Sequence, residues 1–185
     1  MSADSQVASI LRADPFRWRV LNVASALGLP DSWIGAGFVR NAVWDHLHGR
    51  PPSPPTSDVD IIWHDLGRID PAEDQRIEAA LCVAEPSIAW SVKNQARMHT
   101  RNGDLPYASA TEAMRCWPET ATAVAVRRRG FNGCEIAAPF GLDDLLNLIL
   151  RPTPRFSCEK RGIYEDRLRT KGWTTSWPLL RKAEA

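Results

Sequence analysis

The stretch WIGAGFVRN at residues 33–41 predicts a short strand, a glycine turn and the first turn of a helix. Because glycine has no Cβ, backbone N–H groups in such a turn can approach a phosphate at the start of the helix. Arg40 and Asn41 fall in the first turn of that helix, close to where the phosphate would bind. The stretch therefore predicts a phosphate-binding turn made of Gly35, Ala36, Gly37, Arg40 and Asn41.

A second stretch, SDVDII at residues 57–62, predicts a strand that carries two aspartates. Side chains alternate along a strand, so Asp58 and Asp60 point to one face of the sheet. Two neighbouring carboxylates repel each other unless a cation lies between them. Mg²⁺ prefers hard oxygen ligands and is often held by carboxylates together with substrate phosphates. The pair predicts a metal site for Mg²⁺, with Mn²⁺ as the alternative ion.

Together the two stretches resemble the DNA polymerase beta nucleotidyltransferase superfamily, in which a hydrophobic residue and Gly-(Gly/Ser/Ala)-Gly-x-x-Arg precede Asp-x-Asp on a hydrophobic strand. Residues 35–41 look most like the Gly-Gly-x-Val-Arg-Asp signature of its CCA-adding branch. Residues 90–99 and 117–122 are similar to a small bacterial family of nucleotidyltransferase-like proteins. The resemblance implies an α+β, polymerase-beta-type nucleotidyltransferase fold, a mixed sheet packed with helices. Its strands would be 33–35, 58–63, 88–98 and the hairpin 122–138.

The resemblance also implies an activity. A nucleoside triphosphate would bind with its phosphates on the turn at residues 35–41 and with two Mg²⁺ ions on Asp58 and Asp60. In such enzymes an acceptor hydroxyl attacks the α-phosphate and pyrophosphate leaves. We therefore expect Asp58 and Asp60 to be the catalytic and metal-binding residues of a nucleotidyltransferase.

Residues 88–98 alternate between apolar and polar side chains in the manner of a strand. If this strand lies beside residues 58–63, its polar face is shared with the two aspartates. We therefore predict three nucleotide-binding residues on that face, which are Lys93, Gln95 and Arg97.

Many members of the superfamily carry a third carboxylate on such a strand, but this chain has no Asp or Glu between Pro86 and Asn102. Gln95 or Asn94 would occupy that position. Three interpretations follow. Two carboxylates are sufficient, as the resemblance to the CCA-adding and poly(A) branches implies; the protein binds nucleotide without turning it over; or Glu135 on a later strand supplies the missing group.

Length and composition limit the number of domains, the class of partner and the cellular location that we expect. We expect one nucleotidyltransferase-like domain over residues 1–185, with a C-terminal helical segment from about residue 141. The formal net charge of +1 gives no overall electrostatic reason to expect a nucleic-acid or membrane partner. No segment reaches the ~18 apolar residues of a membrane-spanning helix, and no secretion signal is recognisable, which predicts a cytoplasmic protein. The four cysteines are scattered and predict reduced core residues.

The acceptor is not named by any motif. CCA-adding enzymes append an RNA-binding domain, and this chain is short for one, so we expect a small-molecule or protein acceptor and no nucleic-acid substrate. A pure protein-interaction domain is the competing class, but it would need neither the glycines nor the aspartates.

Helical periodicity and capping residues predict the other elements. The expected helices cover residues 4–12, 15–27, 38–48, 71–85, 109–117, 142–150 and 158–171. The last helix, with two preceding arginines, forms a basic and aromatic concentration that would hold a triphosphate or an acidic acceptor if it faced the cleft. Its members are Arg151, Arg155, Lys160, Arg161, Tyr164, Arg167 and Arg169.

Overall fold

The computed structural model describes residues 1–183. Five strands form its main sheet, and they are β1 (Trp33–Gly35), β2 (Val59–Trp63), β3 (Trp90–Asn94), β4 (Ala125–Arg129) and β5 (Gly133–Ala137). Their order across the sheet is β3-β2-β1-β4-β5. Strands β2 and β3 are parallel and the other neighbours are antiparallel, so the sheet is mixed, as predicted.

One face of this sheet packs against helices and forms the main core. Val59, Ile61 and Trp63 point to this face from β2, and none of the three is more than 1% exposed. Apolar residues of four helices share the same core cluster. These helices are α1 (Ala3–Ala13), α2 (Pro15–Ser25), α3 (Gly37–Leu47) and α4 (Pro71–Ala84).

Two of these helices begin at an Asp-Pro pair, as the sequence predicts. The side chain of Asp14 accepts hydrogen bonds from the N–H groups of Phe16 and Arg17, both at 3.0 Å. The side chain of Asp70 accepts one from Ala72 at 2.9 Å. Each aspartate therefore satisfies N–H groups that have no partner inside the helix, and the following proline fits the first helical position.

The opposite face of the sheet carries Asp60 and is only partly covered. A second apolar cluster on this face includes Trp33, Ile62 and Met114. Met114 belongs to a short helical region made of α6 (Ala110–Ala113) and a 3-10 turn (Met114–Cys116). This region begins at Ser109, whose hydroxyl accepts from the Glu112 N–H at 3.0 Å, as the predicted capping box requires.

The strand predicted over residues 88–98 is wrong in its second half. It ends at Asn94, and α5 (Gln95–Asn102) follows at once. The Asn94 side chain accepts from the N–H of Ala96 at 3.0 Å and so caps the helix. Its amide also donates to the carbonyl oxygens of Asp65 and Arg68, both at 2.9 Å. Asparagine favours such a cap over a continued strand because its side chain replaces the missing backbone partner.

The C-terminal region is less helical than predicted. The helix expected over residues 142–150 is only α7 (Asp143–Leu146), because Leu148 adopts a left-handed backbone with a φ of 58°. The helix expected over residues 158–171 is α9 (Arg161–Lys171), and it ends at Gly172, as predicted. The other elements are β6 (Ile149–Leu150), α8 (Pro154–Ser157), α10 (Trp173–Ser176) and β7 (Arg181–Lys182), which pairs with β6.

All four cysteines are free thiols, as expected. The expectation that they are core residues is wrong for Cys82 and Cys158, which are exposed. Cys82 follows the buried residues Ile77 and Leu81 on α4 and points away from them. Among residues 1–183 no helix has both the length and the apolar composition needed to cross a membrane.

Candidate functional site

The two predicted aspartates lie together on the partly covered face of the sheet. Asp60 is paired in register with Gly35 on β1 and with Ser91 on β3. Asp58 precedes β2 by one residue and is exposed. Because side chains two residues apart along an extended chain share a face, both carboxylates lie on the side of the sheet that borders the glycine turn.

The electrostatics of this pair fit a divalent cation. Burial first, and then the charge of Asp58, raise the pKa of Asp60 from 3.8 to about 6. The hydroxyl of Ser91 and the positive charges of Arg40 and Lys93 act in the opposite direction. A divalent cation between the two carboxylates would remove their repulsion, and oxygen ligands of this kind suit Mg²⁺. Asp58 and Asp60 are therefore suitable ligands for such an ion.

No third carboxylate joins this pair in the part of the chain that the structure describes. Glu135 lies on β5, which is separated from β2 by two strands. Its carboxylate accepts hydrogen bonds from Arg127 at 2.9 and 3.0 Å. Within residues 1–183 there is no group of three or more His, Cys, Asp or Glu side chains that could hold a metal ion. The structure thus does not bring Glu135 to the aspartates.

In the turn between β1 and α3, the unusual backbone conformation and the close packing contact fall on different residues. The residue with the unusual backbone is Ala36, with φ 54° and ψ −123°, and its N–H donates to the carbonyl oxygen of Val124 at 2.9 Å. Gly35 is required for space, because a Cβ there would lie 2.7 Å from Cη2 of Trp117. The sequence predicted that both glycines allow a phosphate to approach the backbone. At Gly35 the group that lies against the backbone is instead the indole ring of Trp117.

The start of α3 nevertheless fits an anion. The first N–H groups of a helix have no partner within the helix, and among the described residues no side chain caps this one. The helix dipole adds partial positive charge at the same place. A Cβ at Gly37 would lie 3.3 Å from Oγ of Ser57 and 3.5 Å from Nη2 of Arg40, so the missing side chain leaves a narrow space there.

Arg40 lies behind the turn and is 6% exposed. Its guanidinium donates from Nη1 to Oγ1 of Thr122 at 2.8 Å and from Nη2 to Oδ1 of Asn41 at 3.0 Å. It also lies over the rings of Trp44 and Trp173, 5.0 and 4.4 Å from their centroids. Burial lowers the pKa of Arg40 to about 10. The structure therefore places a buried positive charge behind the predicted phosphate site, with Asn41 as its hydrogen-bond partner.

A cleft of about 370 Å³ opens over Asp60. Three predicted nucleotide-binding residues line it together with Asp60, and they are Ala36, Lys93 and Gln95. Gln95 reaches the cleft from the first turn of α5 and not from a strand. The cleft therefore brings together predicted residues from the glycine turn, from β2, from β3 and from the start of α5.

Arg97 does not line this cleft. It forms an ion pair with the buried Asp74. The same carboxylate accepts from Nε1 of Trp63 at 2.8 Å and from the N–H of Asn94 at 3.0 Å. Because Asn94 begins a helix, Arg97 turns toward α4, where it balances the charge of Asp74.

Residues from later in the chain form the far wall of the cleft, and the sequence anticipated only its basic members, on the condition that they faced the cleft. This wall includes Trp117 and three residues of the C-terminal region, Phe156, Lys160 and Arg167. Of the basic concentration noted in the sequence, only Lys160 and Arg167 line the cleft. Trp117 could have been suspected only from its place beside a proline in a distinctive segment, since its contact with Gly35 joins residues far apart in the chain.

A larger cavity of about 1100 Å³ lies in the C-terminal region. Asp144, Tyr164 and Leu168 contribute to its lining, and neither Asp58 nor Asp60 does. We place the candidate site in the smaller cleft because Asp60 of the carboxylate pair and Ala36 of the glycine turn line that cleft.

Comparison with known proteins agrees with the fold. Residues 22–182 match a family described as nucleotidyltransferase. An NMR structure described as a CCA-adding enzyme head domain is 33% identical, covers 98% of this chain and 96% of its own, and superposes with a TM-score of 0.86. A search of curated proteins gave no match.

More distant solved structures share the fold alone. A CCA-adding enzyme in complex with CTP is 15% identical over 100% of this chain and 44% of its own, with a TM-score of 0.61. An apo form of a tRNA-processing enzyme is 18% identical over 89% and 45%, with a TM-score of 0.54. This chain thus spans less than half of either protein. The match over residues 22–182 and the similarity to the head domain show that the chain belongs to the nucleotidyltransferase family and has its α+β fold.

Proposed function

We propose that this protein is a Mg²⁺-dependent enzyme that transfers a nucleoside monophosphate from a nucleoside triphosphate to an acceptor hydroxyl, with release of pyrophosphate. The observation that carries the proposal is the pair Asp58 and Asp60, held beside the start of α3. The pKa of Asp60 is raised to about 6, first by burial and then by the charge of Asp58, and a cation between the two carboxylates would lower it.

Asp58 and Asp60 would hold Mg²⁺, or Mn²⁺ in its place. When bound, such an ion stabilises the charge that develops on the phosphate oxygens and lowers the pKa of a nearby hydroxyl. The N–H groups at the start of α3 bind phosphate oxygens, and Gly37 leaves them room. Lys93 adds a positive charge and Gln95 a hydrogen-bonding amide on the cleft wall.

The proposed reaction forms a bond between the acceptor oxygen and the α-phosphorus and breaks the bond from that phosphorus to pyrophosphate. The acceptor hydroxyl gives its proton to water, and pyrophosphate leaves with the electrons of the broken bond. Transfer of this kind depends mainly on positioning and on stabilisation of charge, so few further side chains are required. Two carboxylates and a phosphate-binding turn are sufficient for that role.

A second candidate function is a nucleotide-binding module without catalysis. It is favoured by the absence, within residues 1–183, of a third acidic side chain near Asp58 and Asp60. On β3, where many members of the superfamily place such a carboxylate, this chain has Ser91 and Lys93 on the cleft side. Such a module would bind a Mg²⁺-nucleotide complex and release no pyrophosphate.

Pyrophosphate release in the presence of each NTP and a panel of hydroxylated small molecules and proteins tests the activity. We expect release by the wild type, loss of release when Mg²⁺ is chelated, and loss in Asp58→Asn. Asp65→Asn is the matched control, because Asp65 lies beyond the other end of β2 and accepts from the N–H of Gly67. Activity that survives chelation or Asp58→Asn would refute this mechanism.

Three broader predictions from the sequence remain proposals. The acceptor is a small molecule or a protein, and nucleic acid is not the substrate. Residues 1–185 form one nucleotidyltransferase domain with a helical C-terminal segment. The protein works in the cytoplasm.

A further inference from the structure

The C-terminal region contributes two positive charges to the cleft that holds Asp60. Lys160 precedes α9 and Arg167 lies within it, and both line the cleft. Asp60 and Ala36 lie on the opposite wall. The cleft therefore holds the Asp60 carboxylate and Lys93 on the side of the sheet and two further positive charges on the side of the C-terminal region.

Arg167 is held in place by a fully buried carboxylate. Its Nε donates to Oε1 of Glu119 at 2.7 Å, and Glu119 is 0% exposed. The guanidinium also lies over the ring of Trp173, 5.3 Å from the centroid. Such contacts fix the orientation of an arginine before a ligand arrives, which reduces the entropy lost on binding.

Two guanidinium groups, those of Arg40 and Arg167, lie near Glu119. Burial is the largest influence on the pKa of Arg40 and lowers it to about 10. The charge of Glu119 raises this pKa and the charge of Arg167 lowers it, so both groups lie close to Arg40. Within residues 1–183 Arg167 forms an ion pair only with Glu119, and Arg40 forms none. Glu119 and Asp60 both raise the pKa of Arg40, so the two guanidinium groups face two carboxylates in the free protein. When a cation binds Asp60, positive charge is in excess around Arg40 and Arg167, and a bound anion stabilises such an excess.

Lys160 is also restrained by its surroundings. Its Nζ donates to the carbonyl oxygen of Asn102 at 3.1 Å and lies 3.9 Å from a carboxylate oxygen of Asp104. Arg155 forms an ion pair with the same Asp104, so that carboxylate does not neutralise Lys160 alone. Lys160 can therefore offer part of its charge to a ligand in the cleft.

The C-terminal region is fastened to the segment that borders the glycine turn. Oγ1 of Thr153 donates to the carbonyl oxygen of Trp117 at 2.7 Å, and the N–H of Thr153 donates to the carbonyl oxygen of Pro118 at 3.0 Å. Thr153 is 0% exposed. Because a buried residue makes both hydrogen bonds, the wall that carries Lys160 and Arg167 is part of the site and not a loosely attached tail.

We propose that Arg167 and Lys160 bind the β- and γ-phosphates of the nucleoside triphosphate, and that Glu119 is the positioning residue for Arg167. This inference rests on the proposed function, since it takes the nucleotide to lie over Asp60. The α-phosphate then lies near Asp58 and Asp60, and the leaving pyrophosphate faces the basic wall. The positive charges that hold the triphosphate also stabilise the charge that the leaving group gains.

Inorganic triphosphate isolates this subsite because it has no base or ribose. Isothermal titration of triphosphate and of ATP, both with Mg²⁺, is carried out with the wild type, Arg167→Gln and Lys160→Gln. We expect Arg167→Gln to weaken both ligands by about tenfold or more and Lys160→Gln by about threefold, as for lost charge-assisted hydrogen bonds. Arg169→Gln is the matched control, because Arg169 is on the same helix, is 77% exposed at its side chain and pairs with Asp166 outside the cleft.

Folding is checked by thermal unfolding of each variant. If Arg167→Gln does not fold, Lys160→Gln and Arg167→Lys provide the test. Lys160→Gln leaves the ion pair between Arg167 and Glu119 intact, and Arg167→Lys keeps a positive charge beside Glu119. Unchanged affinity for both ligands in the folded variants would overturn the inference. Should those variants bind normally while Asp58→Asn with Asp60→Asn abolishes binding, the proposed function stands and only this inference fails. If the wild type binds neither triphosphate nor any of ATP, GTP, CTP and UTP, the proposed function itself fails.

Discussion

A Cβ placed on Gly35 would lie 2.7 Å from Cη2 of Trp117, a distance that real side chains do not adopt. The indole ring therefore lies directly on the backbone of β1 at Gly35, which is the strand position that pairs with Asp60. Gly35 is a condition for this packing, and Trp117 in turn forms part of the cleft wall. One glycine of the signature thus shapes the cleft through an aromatic residue that lies far along the chain.

Replacing Gly35 with alanine should displace the indole ring. We expect Gly35→Ala to lower the free energy of unfolding by about 2 kcal/mol, as for an overpacked core position, and to weaken nucleotide binding. Chemical denaturation measures the first effect. In a double-mutant cycle with Trp117→Leu, the loss from Gly35→Ala should shrink, because the clash is removed.

Gly37→Ala is the control for that experiment. Its Cβ would lie 3.3 Å from Oγ of Ser57, a short exposed side chain that can rotate, so stability should fall by less than about 1 kcal/mol. Equal losses at both glycines, or additive effects of Gly35→Ala and Trp117→Leu, would contradict the role assigned to Trp117.

The strained residue of the turn is Ala36, with a φ of 54°. Glycine adopts such a conformation without the steric penalty that a Cβ brings. We therefore expect Ala36→Gly to raise the free energy of unfolding by about 1 kcal/mol, with no loss of nucleotide binding. Denaturation of the variant beside the wild type measures this change. A lower stability would show that the turn does not hold this backbone conformation in solution.

Asp60 should reduce the stability of the free protein at neutral pH. Its pKa is raised from 3.8 to about 6, so between these values the folded protein binds more protons than the unfolded chain. The free energy of unfolding therefore falls as the pH rises through this range, and the loss persists above it. Asp60→Asn should be more stable than the wild type at about pH 7, by about 1–3 kcal/mol. At about pH 4 the difference should vanish.

Denaturation midpoints of the two proteins across this pH range provide the measurement. Asp58→Asn is a useful second variant, because removal of the Asp58 charge should move the pKa of Asp60 downward. A wild type that is the more stable protein at neutral pH would be inconsistent with the buried position of Asp60.

The same carboxylate should make metal binding depend on pH. Below about pH 6 Asp60 is protonated in the free protein, so Mg²⁺ must displace a proton to bind. The rise in Tm that Mg²⁺ produces should therefore change little between about pH 7.5 and about pH 6 and decline below that, toward about pH 5, where the affinity for Mg²⁺ falls by up to roughly tenfold for each pH unit. The Asp60→Asn variant should show no Mg²⁺ effect at either end of this pH range. A Mg²⁺ effect of equal size at both ends of the range would contradict the assignment of Asp60 as a ligand.

Local signals in the sequence predicted much of the fold. The pattern SDVDII predicted β2 and the shared face of Asp58 and Asp60, because strand alternation depends only on neighbouring residues. The caps at Asp14 and Asp70 also formed as expected, since a cap is completed within three residues. The nucleotidyltransferase family and fold followed from the joint pattern of turn and strand.

The parts that were not predicted depend on contacts between distant residues. Whether residue 95 continues a strand or starts a helix depends on Asn94, whose side chain bonds to the loop at Asp65 and Arg68. That choice takes Arg97 out of the cleft and turns it to Asp74. The basic wall likewise depends on the fastening of Thr153 to Trp117, which no local pattern reveals.

The central claim is that Asp58 and Asp60 bind a metal–nucleotide complex. Isothermal titration of Mg²⁺ with ATP, GTP, CTP or UTP into the wild type and into Asp58→Asn with Asp60→Asn tests it most directly. We predict saturable, Mg²⁺-dependent binding of at least one nucleotide to the wild type and none to the folded double variant. Binding that is unchanged in the double variant, or no binding of any nucleotide to the folded wild type, would contradict the claim.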